Sequence, residues 1–408
     1  MDSNKLFLFF ASCSKNLETL LEAEAHNYKL ENVVKRPGGI YFSSSLEKSL
    51  DFLLHTRLSS RIYKEVFRFS IDNQNDLYEK AKNNPWDKIF SLQQTFKIKT
   101  IFDSPAKKAF KNSVFFSQKL KDAIVDNFRQ NFSKRPSVDT KTPDISFLMR
   151  VEKGNRKLWT ITISLDLCAE PLSNRGYRLD SSEAPLRENL AAGIVMLTDW
   201  NSNEEIFIDS MCGSGTLSIE AALIKAQIPP TFLKIKAFVE RKEKPFGFLS
   251  QNWFSKNKRL ENNFYEKVKV LYQEIKMKLN GLPSDQFYAS DWDNKVLKKA
   301  KANFQQTNLD KVINLKKQNA INLMPPIKKQ EGVIICNPPY GVRIGEEREL
   351  IDLYKNYGEN LKKNFKGFRA YIFTGNLELR KQISLSTSQR IPLFNGMIEC
   401  RLFKYEIY

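Results

Sequence analysis

From residue 185 onward, short apolar runs alternate with helical patterns, and this alternation restricts the fold more than any other feature of the chain. Pro185–Leu197 reads as an alanine-rich helix, Ile206–Asp209 as a strand, Leu217–Lys225 as a helix, Phe287–Ser290 as a strand and Asn294–Gln305 as a helix. Val312–Lys316 and Val333–Cys336 read as further strands, followed by an amphipathic helix over Leu350–Phe365, a strand over Ala370–Thr374, and a hairpin of Gln389–Leu393 with Ile398–Tyr405. Strands separated by helices pair in parallel through crossovers. The expected fold is therefore α/β: a doubly wound, Rossmann-like sheet with ligands beyond the carboxyl ends of its strands.

The preceding residues follow another plan. Leu6–Ala11, Leu17–Ala25, Ile40–Phe42 and Leu46–Leu54 give strand, helix, strand, helix, a small α+β unit over 1–60. Residues 61–170 interleave basic and aromatic side chains with strands such as Thr95–Phe102 and Leu158–Leu165. There the helical spacing of Phe116, Leu120, Ile124 and Phe128 favours core packing, leaving the lysines as the candidate phosphate contacts. Pro171 to Glu188, with Gly176, Pro185 and several serines, reads as the linker (171–188) to a domain spanning 189–408. Within that domain, Ala226 to Pro283 is a lysine- and aromatic-rich insertion, helical over about 256–280.

Over 408 residues, 65 Lys+Arg stand against 46 Asp+Glu, a net charge of +19, which favours a polyanionic partner. The five cysteines lie far apart and form no CxxC pair, so neither a disulfide framework nor a zinc site is expected and a cytoplasmic setting is. His26 and His55, the two histidines, have no partner spacing, which argues against a metal hydrolase or a serine-type triad. The short run Leu6–Ala11 reads as a strand and not as a signal segment, and no window reaches the ~20 apolar residues of a membrane span.

Two stretches carry the chemistry. Asp209-Ser210-Met211-Cys212-Gly213-Ser214-Gly215-Thr216 closes a strand and opens a helix. Its glycines let backbone approach a ligand, and amides at the helix start favour a polar or anionic group. A third glycine, which a dinucleotide fingerprint needs, is missing. Asp291 ends the next strand, where a carboxylate can accept ribose hydroxyls, with Trp292 near an adenine and Asn319 placed after the third strand to bond its amine; Asp293 reads as a helix cap. The fourth strand ends at Asn337-Pro338-Pro339-Tyr340. The prolines fix the direction of the Asn337 and Pro338 carbonyls, and Tyr340 offers a flat face. A planar ring with an exocyclic NH2 could stack on Tyr340 and donate to Asn337 and Pro338.

These motifs resemble class I S-adenosylmethionine-dependent RNA methyltransferases, specifically the THUMP-containing group that makes N2-methylguanosine in 23S rRNA (the RlmL/YpsC type). The resemblance rests on Asn174-Arg175-Gly176-Tyr177-Arg178, Ala184 to Ala192, Asp209 to Thr216, Ser290-Asp291, and Asn337 to Gly341 with Arg343. It implies a ferredoxin-like subdomain over 1–60, a THUMP RNA-binding domain over 61–170, and a methyltransferase domain that binds S-adenosylmethionine. In that scheme Asp209, Gly213 and Gly215 contact the methionine end, Asp291 the ribose and Asn319 the adenine, with Cys212, Ser214 and Thr216 also in the cofactor site. Asn337, Pro338, Pro339 and Tyr340 form the catalytic pocket for the target guanine, and no metal takes part. Three positions depart from the family pattern: Ser210 replaces a proline, Asn319 an aspartate, and Val342 a glutamate. The alternatives are a tRNA guanine-N2 or an adenine-N6 methyltransferase, or a non-catalytic RNA-binding assembly factor.

Overall fold

The computed structural model describes residues 5–155, 157–178, 186–326, 331–339 and 347–408. In the amino half, β1 (Phe7–Ser12), β2 (Glu31–Arg36), β3 (Gly39–Ser44), β4 (Arg61–Ile71), β5 (Phe96–Phe102), β6 (Ile145–Lys153) and β7 (Trp159–Asp166) form one sheet in the order β2-β3-β1-β4-β7-β6-β5. β4 joins its two parts. It pairs with β1 through Arg61–Lys64 and with β7 through Tyr63–Ile71, both antiparallel, so one continuous sheet spans the boundary expected at residue 60. β2 has no counterpart among the expected strands because its residues are almost all exposed, and an edge strand with no buried face shows no apolar alternation. The aromatic side chains of this half are core: Phe90 meets the rings of Phe96, Phe128 and Phe147 at 5.4, 5.1 and 5.7 Å.

The carboxyl half is a second sheet. β8 (Ile206–Asp209), β9 (Phe287–Asp291), β10 (Ile313–Lys317), β11 (Gly332–Cys336), β12 (Arg369–Thr374), β13 (Gln389–Asn395) and β14 (Ile398–Glu406) stand in the order β10-β9-β8-β11-β12-β14-β13. The first five strands of that order are parallel neighbours, and β14 runs antiparallel between β12 and β13. The chain builds outward from β8 through β9 to β10, then returns to the other side of β8 with β11. That reversal opens a crevice at the carboxyl ends of β8 and β11. β11 is buried along its whole length, as a central parallel strand covered on both faces should be.

The halves are tied through the helix Thr216–Lys225 that follows β8. Arg57 Nη2 donates to the carbonyls of Leu223 and Ile228 at 3.0 and 2.9 Å, satisfying acceptors at the end of that helix. Asn189 Nδ2 donates to the Leu58 carbonyl at 3.1 Å and to Ser60 Oγ at 3.0 Å. The described part of 171–188 is packed into this contact, with Arg175 and Tyr177 wholly buried. Its proline and glycine steer the chain, and its large side chains anchor it.

Candidate active site

Parallel pairing brings the strand-end residues to one edge. Asp209 is in register with Ala289 of β9 and with Ile335 of β11, and Asp291 with Lys317 of β10. The glycine turn and the Asn337 corner are therefore neighbours at the crevice. Ser210 stitches them together, its amide donating to the Ile335 carbonyl at 3.0 Å and its hydroxyl lying 2.7 Å from the Tyr357 hydroxyl. A proline here could make neither bond, which gives this departure from the family pattern a structural role.

The turn is fastened to β9. Cys212 N donates to the Ser290 carbonyl at 2.9 Å, and Gly213 N to Asp291 Oδ2 at 3.0 Å. Gly215 has φ +79°, and a Cβ on it would lie 2.4 Å from the Phe304 ring, so only glycine lets the turn close against Asn294–Gln306. Asn303 Nδ2 holds the Ser214 carbonyl at 2.9 Å from the same helix.

Two carboxylates set the electrostatics. Asp209 is fully buried; its Oδ2 accepts from Ser218 Oγ at 2.9 Å, while Oδ1 has no partner among the described residues. Burial pushes its pKa up to about 7, against the Ser218 hydrogen bond, and the nearby Asp291 pushes the same way as burial. Asp291 accepts the amides of Gly213 and Asp293, which fixes its orientation and leaves lone pairs for a further donor. Burial raises the Cys212 thiol well above its ordinary range, so it is a packing group and no nucleophile.

Beyond β9 and β10 lies a depression of about 580 Å3 lined by Trp292, Asp293, Lys317 and Asn319. Trp292 is 71% exposed, its ring free to cover a ligand. Asp293 caps its helix, accepting from Lys295 N at 2.7 Å as expected of it. Asn319 is also a cap, for a short turn, with Oδ1 accepting from Ile321 N at 3.2 Å. Its Nδ2 donors and second oxygen lone pair remain for a base edge.

At the fourth strand end, Asn337 Oδ1 is buried with no hydrogen-bond partner among the described residues. A buried amide oxygen left unpaired costs about 1–3 kcal/mol, which a bound donor recovers. The Pro339 carbonyl is taken by the Tyr354 hydroxyl at 3.3 Å. Tyr340, Gly341, Val342 and Arg343 lie outside the described residues, as do Ala184 and Pro185.

Sequence reasoning missed a buried charge network behind the turn. Glu220 faces inward from Thr216–Lys225, 3.6 Å from Arg175 Nε, and accepts from the Tyr177 hydroxyl at 3.0 Å. Arg178 Nη2 donates to Thr216 Oγ1 at 3.0 Å and lies 3.8 Å from Glu188. The Asn174-to-Arg178 motif thus braces the helix that starts at the turn. The available signal was a carboxylate in the centre of the apolar run Leu217–Leu223.

Three domain families match in chain order: the RlmL ferredoxin-like domain over residues 8–63, the THUMP domain over 72–164, and the RMKL-like methyltransferase domain over 175–404. The chain belongs to the RMKL-like methyltransferase family. The ribosomal RNA large subunit methyltransferase K/L of Psychromonas ingrahamii is 34% identical over 401 residues, which cover 98% of this chain and 50% of that protein. The chain thus spans about half the length of this relative. A putative RNA methyltransferase, slr0064 of Synechocystis, is 33% identical over 98% of this chain and 97% of its own length. Among solved structures, SMU.472, a putative methyltransferase complexed with SAH, superposes with TM-score 0.78 at 23% identity over 99% of both chains. The fold expected for the family, a ferredoxin-like and THUMP module ahead of a class I methyltransferase sheet, is the one observed.

Proposed function

We propose that the protein transfers a methyl group from S-adenosylmethionine to the exocyclic N2 of a guanine in 23S rRNA, as a cytoplasmic enzyme. The observation that carries the reading is the adjacency of the glycine turn and Asn337 across β8 and β11, with the Asn337 oxygen buried and unpartnered. Support for the substrate comes from the three matched domains and from a relative named for large-subunit ribosomal RNA.

The residues present fit the cofactor. The unpartnered oxygen of the buried Asp209 suits a cationic ammonium. Asp291 suits a ribose diol, and Trp292 with Asn319 an adenine. Bound there, S-adenosylmethionine supplies an electrophilic methyl group on a sulfonium.

Guanine N2 is a poor nucleophile because its lone pair is delocalised into the ring. Asn337 Oδ1 and the Pro338 carbonyl accept its two hydrogens, turn the lone pair towards the methyl carbon and stabilise the positive charge that grows on nitrogen. Neither acceptor is basic enough to keep a proton, so the one released from the methylated amine passes to water. Tyr340 stacks on a base taken out of its helix. Incubating the protein with radiolabelled methyl donor and either protein-free 23S rRNA or bulk tRNA, then digesting to nucleosides, should yield label in N2-methylguanosine from the 23S rRNA. Label in N6-methyladenosine, or in bulk tRNA alone, would replace this assignment.

Asp209 gives a pH prediction. Its carboxyl is held at about 7 in the folded protein, whereas in the unfolded chain it ionises near ~4. The folded state therefore retains a proton that the unfolded state has lost, and this contribution to stability declines as pH rises from about 4 to 7. Asp209→Asn should remove that decline, seen as a flatter dependence of the thermal midpoint on pH. A ligand ammonium prefers the ionised carboxylate, so calorimetry should show S-adenosylhomocysteine binding more tightly at pH 8 than at pH 6. In Asp209→Asn the affinity should fall roughly tenfold and lose that dependence. A parent affinity that does not change with pH would contradict this role.

A further inference from the structure

Away from the crevice, a cleft of about 720 Å3 lies between the amino-terminal sheet and the insertion of the methyltransferase domain. Its charge is one-sided: Lys5, Lys64, Lys256, Lys258 and Arg259 line it against a single carboxylate, Glu47. Lys258 is paired with Glu261 at 2.7 Å, and Glu47 accepts from Asn263 at 3.3 Å. Two helix starts open into the same space. One is Leu46–His55, capped by Ser45, and the other is Lys258–Asn280, capped by Asn257. The first-turn amides that have no carbonyl within their own helix add positive potential there.

Two buried donors point to a missing acceptor. Lys64 is 8% exposed, and its ammonium meets the ring faces of Phe7 and Trp253 at 4.9 and 5.5 Å, with no hydrogen bond or carboxylate among the described residues. Asn252 is 9% exposed, and its Nδ2 has no hydrogen-bond partner among the described residues. Ring faces return about 0.5–2 kcal/mol to an ammonium but offer it no acceptor oxygen. Burial, and Lys5 beside it, push the Lys64 pKa down to about 8. A site with two free donors, excess cations and two helix starts lacks an anion of many acceptor oxygens, which is the chemistry of phosphate. The indole of Trp253 beside it suits a nucleobase.

We infer that this cleft binds a phosphate of a single-stranded segment of the RNA substrate, with Lys64 and Asn252 donating to its oxygens and the neighbouring base against Trp253. The inference rests on the proposed action on RNA. A free nucleotide would offer the same chemistry, and the test separates the two sources. The full chain would be titrated against a 5′-labelled single-stranded 12-nucleotide RNA by fluorescence anisotropy over a range of salt, with AMP and inorganic phosphate titrated separately by calorimetry. Lys64→Met should weaken RNA binding about fivefold at 0.1 M salt and lower the salt slope by about 0.7, the value for one phosphate contact on a single strand. Lys256→Ala/Arg259→Ala, at exposed positions that do not burden folding, should act in the same direction, and Lys64→Arg should restore binding. Unchanged RNA binding in both variants overturns the inference. AMP binding that depends on Lys64 while RNA binding does not would assign the cleft to free nucleotides and overturn the RNA assignment. S-adenosylhomocysteine binding, measured in parallel, should be the same in all variants. Its absence from the parent would count against the methyltransferase reading and leave the cleft result standing.

Discussion

Asn337→Ala is expected to bind S-adenosylhomocysteine and RNA within about twofold of the parent while methyl transfer slows by ~10²–10³. The side chain sits one residue beyond β11, and its oxygen is buried without a partner, so truncation removes an acceptor that nothing else in the described structure uses. The loss falls on turnover because the contact strengthens as positive charge develops on the amine, which makes it worth more in the transition state than in the ground state. Single-turnover rates with saturating donor and RNA would measure it. Asn337→Asp sharpens the test. A carboxylate keeps the acceptor and adds charge, so it should retain more activity than alanine, and equal rates for Asn337→Ala and the parent would remove Asn337 from the chemistry.

The second large effect is on stability. Glu220→Ala leaves the Arg175 guanidinium fully buried beside Arg57 without its 3.6 Å carboxylate partner, and strands the Tyr177 hydroxyl. Removing one partner of a buried pair costs about 3–5 kcal/mol, so the variant should unfold at clearly lower denaturant and lose cofactor affinity with it. Glu220→Leu combined with Arg175→Met removes both charges and should recover most of the stability. A denaturation midpoint for Glu220→Ala matching the parent would show that the pair does not brace the helix. The same loss in the double variant would trace the effect to packing and not to charge.

What the sequence discloses and what it hides follow the range of the forces involved. The parallel sheet was legible because its strands are short apolar runs set off by helical periods, and the position of the candidate residues because each stands at or just past the end of such a run. Asp209, Asp291, Asn319 and Asn337 needed only the rule that parallel strands share a carboxyl edge. The caps at Asp293 and Asn112 are local hydrogen bonds and equally readable in principle. The ladder through β4 depends on pairing between residues as distant as Tyr63 and Asp166, which leaves no local trace. Glu220 and Lys64 are alike in this respect. Each is a charge inside an apolar pattern, and only the packing of other segments shows what it faces.

Arg57 grips the far end of the helix that begins at the glycine turn, while Arg175, two residues into the same brace, donates to the Arg57 carbonyl. The cleft inferred to hold RNA and the crevice proposed to do the chemistry are therefore bolted to one frame. With the span between them set by the protein, the nucleotide that is modified would be chosen by its distance along the strand from the anchored segment. Adding or removing a nucleotide between anchor and target should then shift the modified position or abolish it, much as moving a jig shifts where a drill falls.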